Sequence, residues 1–297
     1  MRFDVYLMVD WSAANTPRSG KDSIWWTSAV WTRRGPRLER TDNPRTRAEA
    51  LRAVGERLTR ALSRGEDVLL GVDFALGYPQ GTAAALGLPG VPWRALWNEW
   101  NTLVRDAEDN ANNRFEVAAA LNARISAGAG PFWARPRGMP LPGLTENRPF
   151  AYPVQGLAER RLTDSRAPGA HSPWKLFTTG AVGSQSLLGI PRLHQLLEDS
   201  RLAGRLCVWP FQTGFTLPPR SPGQGRIVLA EVYPSLLKPR PPADTVPDRF
   251  QVEALARHFA EHDRAETLAA LFAPPEGLTP TQRDAVLQEE GWILGVR

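Results

Sequence analysis

Val5-Tyr6-Leu7-Met8-Val9-Asp10 and, further along, Asp67-Val68-Leu69-Leu70-Gly71-Val72-Asp73 decide the fold. Each is a short unbroken apolar run closed by an aspartate. A run of that length, bounded by polar residues, reads as a strand buried on both faces. Two such strands lying parallel and adjacent carry both carboxylates to one carboxyl edge, where open α/β sheets hold ligands.

Working outward, Ser23-Ile24-Trp25-Trp26-Thr27-Ser28-Ala29-Val30-Trp31 is rich in aromatic and branched residues. Arg33-Arg34-Gly35-Pro36 punctuates it, and Arg37-Leu38-Glu39-Arg40 resumes, so a strand and hairpin are expected. From Thr46 to Arg64 the apolar positions Ala50, Leu51, Val54, Leu58, Ala61 and Leu62 recur at helical spacing, and Gly65 supplies the stop. Residues 74 to 92 read as irregular. Trp93, Trp97 and Trp100 form an aromatic stripe on a helix, suited to packing more than to base stacking. A further helix is expected over Arg114 to Ala127, then a proline-rich loop or lid over 128 to 156. A basic helix start is expected near Gly156 to Thr163, and another helix from Thr178-Thr179-Gly180 through Leu197. Arg205–Trp209 and Arg226–Tyr233 read as late strands. Phe250 to Ala260 and Asp263 to Phe272 read as two helices, the second stopped by Pro274-Pro275. The expected class is α/β, a mixed sheet flanked by helices. Residues 1–297 form one domain, with a mostly helical and loop-rich insertion at about 80–200.

Composition narrows the class. Of 297 residues 42% are hydrophobic and 23% charged, which rules out wholesale disorder. The 27 Pro and 25 Gly call for long loops. Net charge is +5, and of the 36 basic residues only Lys21, Lys175 and Lys238 are lysine. GC-rich coding is the favoured account of that arginine bias, with phosphate binding as the functional alternative. The single Cys207 excludes an internal disulfide and a cysteine zinc site. Met1-Arg2-Phe3-Asp4-Val5 has an early acid and only a short apolar run, unlike a secretory signal. No apolar stretch approaches the roughly 18 residues of a membrane span, so a cytoplasmic protein is expected.

Four acids stand out by placement. Asp10 and Asp73 end the two buried strands, and Asp263 and Glu266, three apart, would share one face of a helix. Converging carboxylates repel unless a cation sits among them, and a hard cation, Mg²⁺ or Mn²⁺, suits oxygen donors. Other features carry less. Gly180-x-x-Gly183-Ser184 could offer amides to a phosphate, although it lacks the Gly-Lys-Ser/Thr of a nucleotide loop and also reads as a helix cap. Asp109-Asn110-Ala111-Asn112-Asn113 suits turn and cap chemistry, with a binding role as the alternative. His258 and His262 are four apart, but a zinc site would need further ligands. His262 could instead support the acidic cluster.

The order of these features resembles the ribonuclease H-like fold, and within it the family called domain of unknown function 429, predicted nucleases. The stretches that carry the likeness are Val9-Asp10-Trp11-Ser12-Ala13, Gly71-Val72-Asp73-Phe74-Ala75, Gly183-Ser184-Gln185-Ser186, Glu231-Val232-Tyr233-Pro234 and His262-Asp263-Arg264-Ala265-Glu266. The resemblance implies that Asp10, Asp73, Asp263 and Glu266 are catalytic metal ligands. It implies that Arg160, Arg161, Ser184, Gln185 and Glu231 bind phosphate or substrate. Two positions depart from the pattern: Tyr233 replaces a histidine, and Glu266-Thr267 stands for Asp-Ala. The expected activity is divalent-metal-dependent phosphodiester hydrolysis by water, with nucleic acid or a phosphorylated small molecule as partner. The alternatives are a non-cleaving binder of nucleotides or phosphorylated ligands, and an accessory protein of cobalamin or molybdenum-cofactor biosynthesis.

Overall fold

The apolar runs form the centre of a six-stranded mixed sheet. In this computed structural model, residues 2–128, 130–220, 223–238 and 240–297 are described; Met1 and, within the proline-rich stretch, Ala129 lie outside them. The strands are β1 (Val5–Asp10), β2 (Trp25–Thr32), β3 (Gly35–Asp42), β4 (Val68–Val72), β5 (Leu206–Val208) and β6 (Ile227–Glu231). Their order across the sheet is β3-β2-β1-β4-β6-β5. The β1-β2-β3 meander is antiparallel, while β1, β4, β6 and β5 run parallel to their neighbours. The central strands β1, β4 and β6 are buried along their whole length, as continuous apolar strands covered on both faces must be. The edge strand β3 is polar and half exposed.

The helices are α1 (Arg47–Ser63), α2 (Thr82–Ala85), α3 (Pro92–Leu103), α4 (Arg114–Ser126), α5 (Leu162–Arg166), α6 (Val182–Leu197), α7 (Pro247–Arg264), α8 (Leu268–Phe272) and α9 (Pro280–Ala285). Alternation along β1 divides the core. Val5, Leu7 and Val9 face the side covered by α1, α3, α4 and α6; Tyr6 and Met8 face the side covered by α7. The apolar residues of α2, α3, α4 and α6, between β4 and β5, share the first core. Trp93, Trp97 and Trp100 are all buried there, as the packing reading expects, and Tyr78, Trp100, Phe132 and Trp174 meet in edge and tilted contacts 4.9–6.0 Å apart. No helix among the described residues is long and apolar enough to cross a membrane.

Local signals hold where they are chemical. The Thr46 hydroxyl accepts from the Glu49 amide to cap α1, and Gly65 follows its end at φ 70°. The basic helix start expected between Gly156 and Thr163 is there: α5 begins at Leu162, and the Asp164 carboxylate accepts from the Arg161 amide at 3.0 Å. The two carboxyl-terminal helices divide differently from expectation. Pro247 opens α7, which runs unbroken to Arg264, and Glu266 sits at φ 60°, outside any helix. Asp263 and Glu266 therefore do not share a helix face.

Candidate active site: an acidic cleft at the carboxyl edge

Register fixes the first pair of acids. Val9 pairs with Val72, so Asp10 and Asp73 each follow a paired valine on adjacent parallel strands. Both line a cleft of about 500 Å³ at that edge. Asp73 Oδ1 accepts from the Trp11 amide at 2.8 Å, and the two carboxyl groups are close enough to share a hydrogen bond. Burial, then the charge and hydrogen bond of Asp73, hold Asp10 well above the usual carboxylate range. Burial also lifts Asp73, to about 6, against hydrogen bonds from Asp10 and the Trp11 amide that pull it down. The pair therefore keeps a proton that ordinary aspartates would lose.

The third acid is Asp248, which sequence reasoning missed. It is the second residue of α7, lines the same cleft, and adds its charge to the strain on both Asp10 and Asp73. Its Oδ2 accepts from the Asp22 amide at 2.6 Å, which ties the loop after β1 to the helix start. A proline followed by an acid just ahead of an apolar-periodic run is a helix-start signal that could have found it.

Asp263 and Glu266 are not at the site. Asp263 is buried at the other end of β1, where its carboxylate accepts from the amides of Arg2 at 2.7 Å and Phe3 at 2.8 Å and from the Tyr6 hydroxyl at 2.6 Å. The reason is direction: α7 runs antiparallel to β1. Its first and last turns lie about 22 Å apart at 1.5 Å per residue, so an acid at its end cannot reach an acid at the carboxyl end of β1. Glu266 lies with Asp263, near Arg2 and Arg220. His262 goes with them and supports no acidic cluster.

The expected phosphate ligands also divide. Arg161 is buried and spends all five of its N–H donors inside the protein. Nε and Nη2 donate to Asp164 at 3.0 and 2.7 Å, Nη1 and Nη2 donate to Glu231 at 2.7 and 2.6 Å, and Nη1 donates to the Glu290 carbonyl at 3.1 Å. No donor remains for a phosphate, and Glu231 is committed to Arg161 and to the Leu76 amide. Ser184 is buried off the cleft, donating to the Leu176 carbonyl and accepting from Arg114 Nε. Gln185 does line the cleft, and its Nε2 donates to the Trp11 carbonyl, fastening α6 to the chain beside Asp10. Arg160 is exposed, near enough to His171 to lower its pKa after burial and Lys175 have done so.

The rest of the lining includes residues without acidic side chains. It contains Thr178, Thr179, Gly180, His171 and the first residues of α6, whose amino end has no side-chain cap. Lys175 Nζ donates to the Thr179 carbonyl at 2.7 Å. The Asn cluster is structural: buried Asn110 accepts from the Arg47 amide at 2.9 Å.

Among the described residues no group of three or more His, Cys, Asp and Glu side chains is drawn together as a metal cage. Two paired carboxylates with a third lining the same cleft still fit Mg²⁺, which keeps several waters and takes only one or two carboxylates plus substrate oxygens. No family model matches the chain, and no curated protein or solved structure does either.

Proposed function

We propose that the chain is a divalent-metal-dependent phosphodiester hydrolase, a nuclease, built on a ribonuclease H-like sheet. The observation that carries the reading is the Asp10–Asp73 pair at the ends of adjacent parallel strands, Asp10 buried and Asp73 half-buried, proton-retaining and joined by Asp248 on one cleft. Asp10 and Asp73 would hold Mg²⁺ or Mn²⁺, with Asp248 in the position first assigned to Asp263. Such an ion lowers the pKa of water and offsets charge on a phosphate oxygen.

The chain's own groups do the positioning. The Trp11 amide fixes the Asp73 carboxylate, and Gln185 fixes the Trp11 carbonyl, so the pair and the amino end of α6 are held as one unit. That amino end lines the cleft and brings the positive end of its dipole to a phosphate oxygen there, its Gly183 and Ser184 amides being held by the Lys175 and Ala181 carbonyls. Asp10 and Asp73, relieved of their shared proton, leave a carboxylate able to accept a proton from water.

The cleft volume also suits a small ligand, since such sites span roughly 300–1,000 Å³. A non-cleaving binder of a phosphorylated small molecule is therefore the second reading. Incubation of single-stranded and duplex DNA and RNA with Mn²⁺ tests the first. Cleavage by wild type and its disappearance from the Asp10→Asn/Asp73→Asn double variant are expected. Cleavage that survives in the double variant overturns the proposal. Nucleotide binding without cleavage selects the second reading.

A further inference from the structure

Cations flank the acidic cleft on two sides, and the order of the strands places them. β2 runs antiparallel to β1, so its first residue, Trp25, pairs with Asp10 at the carboxyl edge. Lys21, four residues earlier, is exposed on that side. Burial raises the Asp248 pKa, and the Asp22 amide and then the Lys21 charge draw it back, so Lys21 stands close to the cleft. On the other side Glu231 ends β6 and holds Arg161. Arg160, next to it in the chain, is exposed and close to His171, which lines the cleft. Neither Lys21 nor Arg160 has an ion-pair partner among the described residues.

Between β2 and β6 stand β1 and β4, the strands that end in Asp10 and Asp73. The two sides are therefore three strand spacings apart, roughly 14 Å at about 4.8 Å each. A stacked nucleic-acid strand advances about 3.4 Å per nucleotide, so that span is roughly four nucleotides. A single phosphate reaches one of the two cations; a strand reaches both.

An aromatic ring lies beside the same cleft. Phe177 is 40% exposed and immediately precedes Thr178 and Thr179 of the lining. A T-shaped contact with buried Phe115, centroids 6.5 Å apart, holds its ring from one side. Thr178 takes φ 69°, a left-handed conformation that is strained for a β-branched residue. Strain of this kind collects at ligand clamps. A lone exposed Phe needs no explanation. One presented by a strained residue, at the lip of a cleft flanked by cations, suits base stacking. A positive track with an aromatic platform is how proteins grip single strands, and stacking requires the unpaired bases that a duplex withholds.

We propose that the cleft takes a single-stranded nucleic acid of about four nucleotides or more, with backbone phosphates on Lys21 and Arg160 and a base stacked on Phe177. The proposal rests on the reading of the cleft as a phosphodiester site and names its ligand: the acids hold the cation, the flanking cations hold the chain.

Fluorescence anisotropy with labelled oligothymidylates of two, four and eight nucleotides tests it, in EDTA to stop metal-dependent cleavage. Affinity should rise at least about fivefold from two to eight nucleotides. Lys21→Ala and Arg160→Ala should each weaken octanucleotide binding about fivefold at about 0.1 M salt. Each should also lower the slope of log affinity against log salt by about 0.7, the increment for one phosphate of a single strand. Phe177→Ala should weaken binding about five- to 150-fold, and Phe177→Trp should retain it. On an octamer with a neutral methylphosphonate backbone, the two cation variants should match wild type and Phe177→Ala should not. Arg264→Ala, at the far end of α7, should change nothing. Octanucleotide affinity equal to wild type in both cation variants or in Phe177→Ala overturns the proposal. So does wild-type binding no tighter than millimolar, no gain with length, or an equal loss in Arg264→Ala. Binding of the expected pattern without cleavage in Mn²⁺ sinks the nuclease reading and leaves the strand site standing; cleavage in Mn²⁺ with none of these losses does the reverse.

Discussion

Asp73→Asn should stabilise the metal-free protein at alkaline pH. The folded Asp73 carboxyl titrates near 6 against an ordinary value of 3.8, so it binds its proton about two units more tightly folded than unfolded. At 1.36 kcal/mol per unit, ionising it in the folded state costs about 3 kcal/mol. The sign follows. A raised carboxyl favours folding below pH 4, and that advantage drains away as pH rises through about 6. Asparagine keeps the shape: its Oδ1 accepts from the Trp11 amide, and its Nδ2 donates to Asp10. Most of the strain is therefore relieved, a gain of about 1–3 kcal/mol at pH 8 and close to zero at pH 4. At about 2–4 °C per kcal/mol, thermal melts in EDTA resolve the difference. Adding Mn²⁺ should reverse the order, because the ion raises the wild-type Tm and not the variant's. A variant destabilised in EDTA at pH 8 as much as at pH 4 would refute the reasoning, since the pair would then carry no strain.

Three further outcomes separate structural from functional residues. Asp263→Ala should cost about 2–4 kcal/mol by chemical denaturation, leaving the amides of Arg2 and Phe3 and the Tyr6 hydroxyl without their acceptor, while Mn²⁺ affinity is unchanged. Arg161→Ala should cost about 3–5 kcal/mol, because it strands two buried carboxylates, Asp164 and Glu231; denaturation that shows a loss under about 1 kcal/mol would return Arg161 to a ligand role. Gly77→Ala should cost at least about 1–3 kcal/mol on the same assay, since a Cβ there would lie 2.2 Å from the Glu289 carbonyl oxygen and 2.5 Å from that of Glu290, backbone atoms that cannot swing away.

Local chemistry made half of the site legible. The apolar runs before Asp10 and Asp73 declare strands buried on both faces, and the structure supplies the adjacency that brings their ends together. The other half depended on a direction. Whether an acid on α7 meets Asp10 is set by which end of the helix approaches the carboxyl edge, and no spacing within residues 247–264 records that. Asp263 met its partners 257 to 261 positions away, at Arg2, Phe3 and Tyr6. Arg161 misled for the same reason. In sequence it sits in a basic pair, and its neutralising partner Glu231 is 70 positions distant. A charge near a candidate site is visible in sequence; its prior commitment to a buried partner is not.

Mn²⁺ titration of the metal-free protein in four forms bears most directly on the acidic cleft as a hard-cation site: wild type, Asp10→Asn, Asp248→Asn and Asp263→Asn. The account predicts binding by wild type and Asp263→Asn with equal affinity, weaker binding by Asp248→Asn, and none by Asp10→Asn. Binding retained in Asp10→Asn, or lost in Asp263→Asn while that variant stays folded, would contradict it.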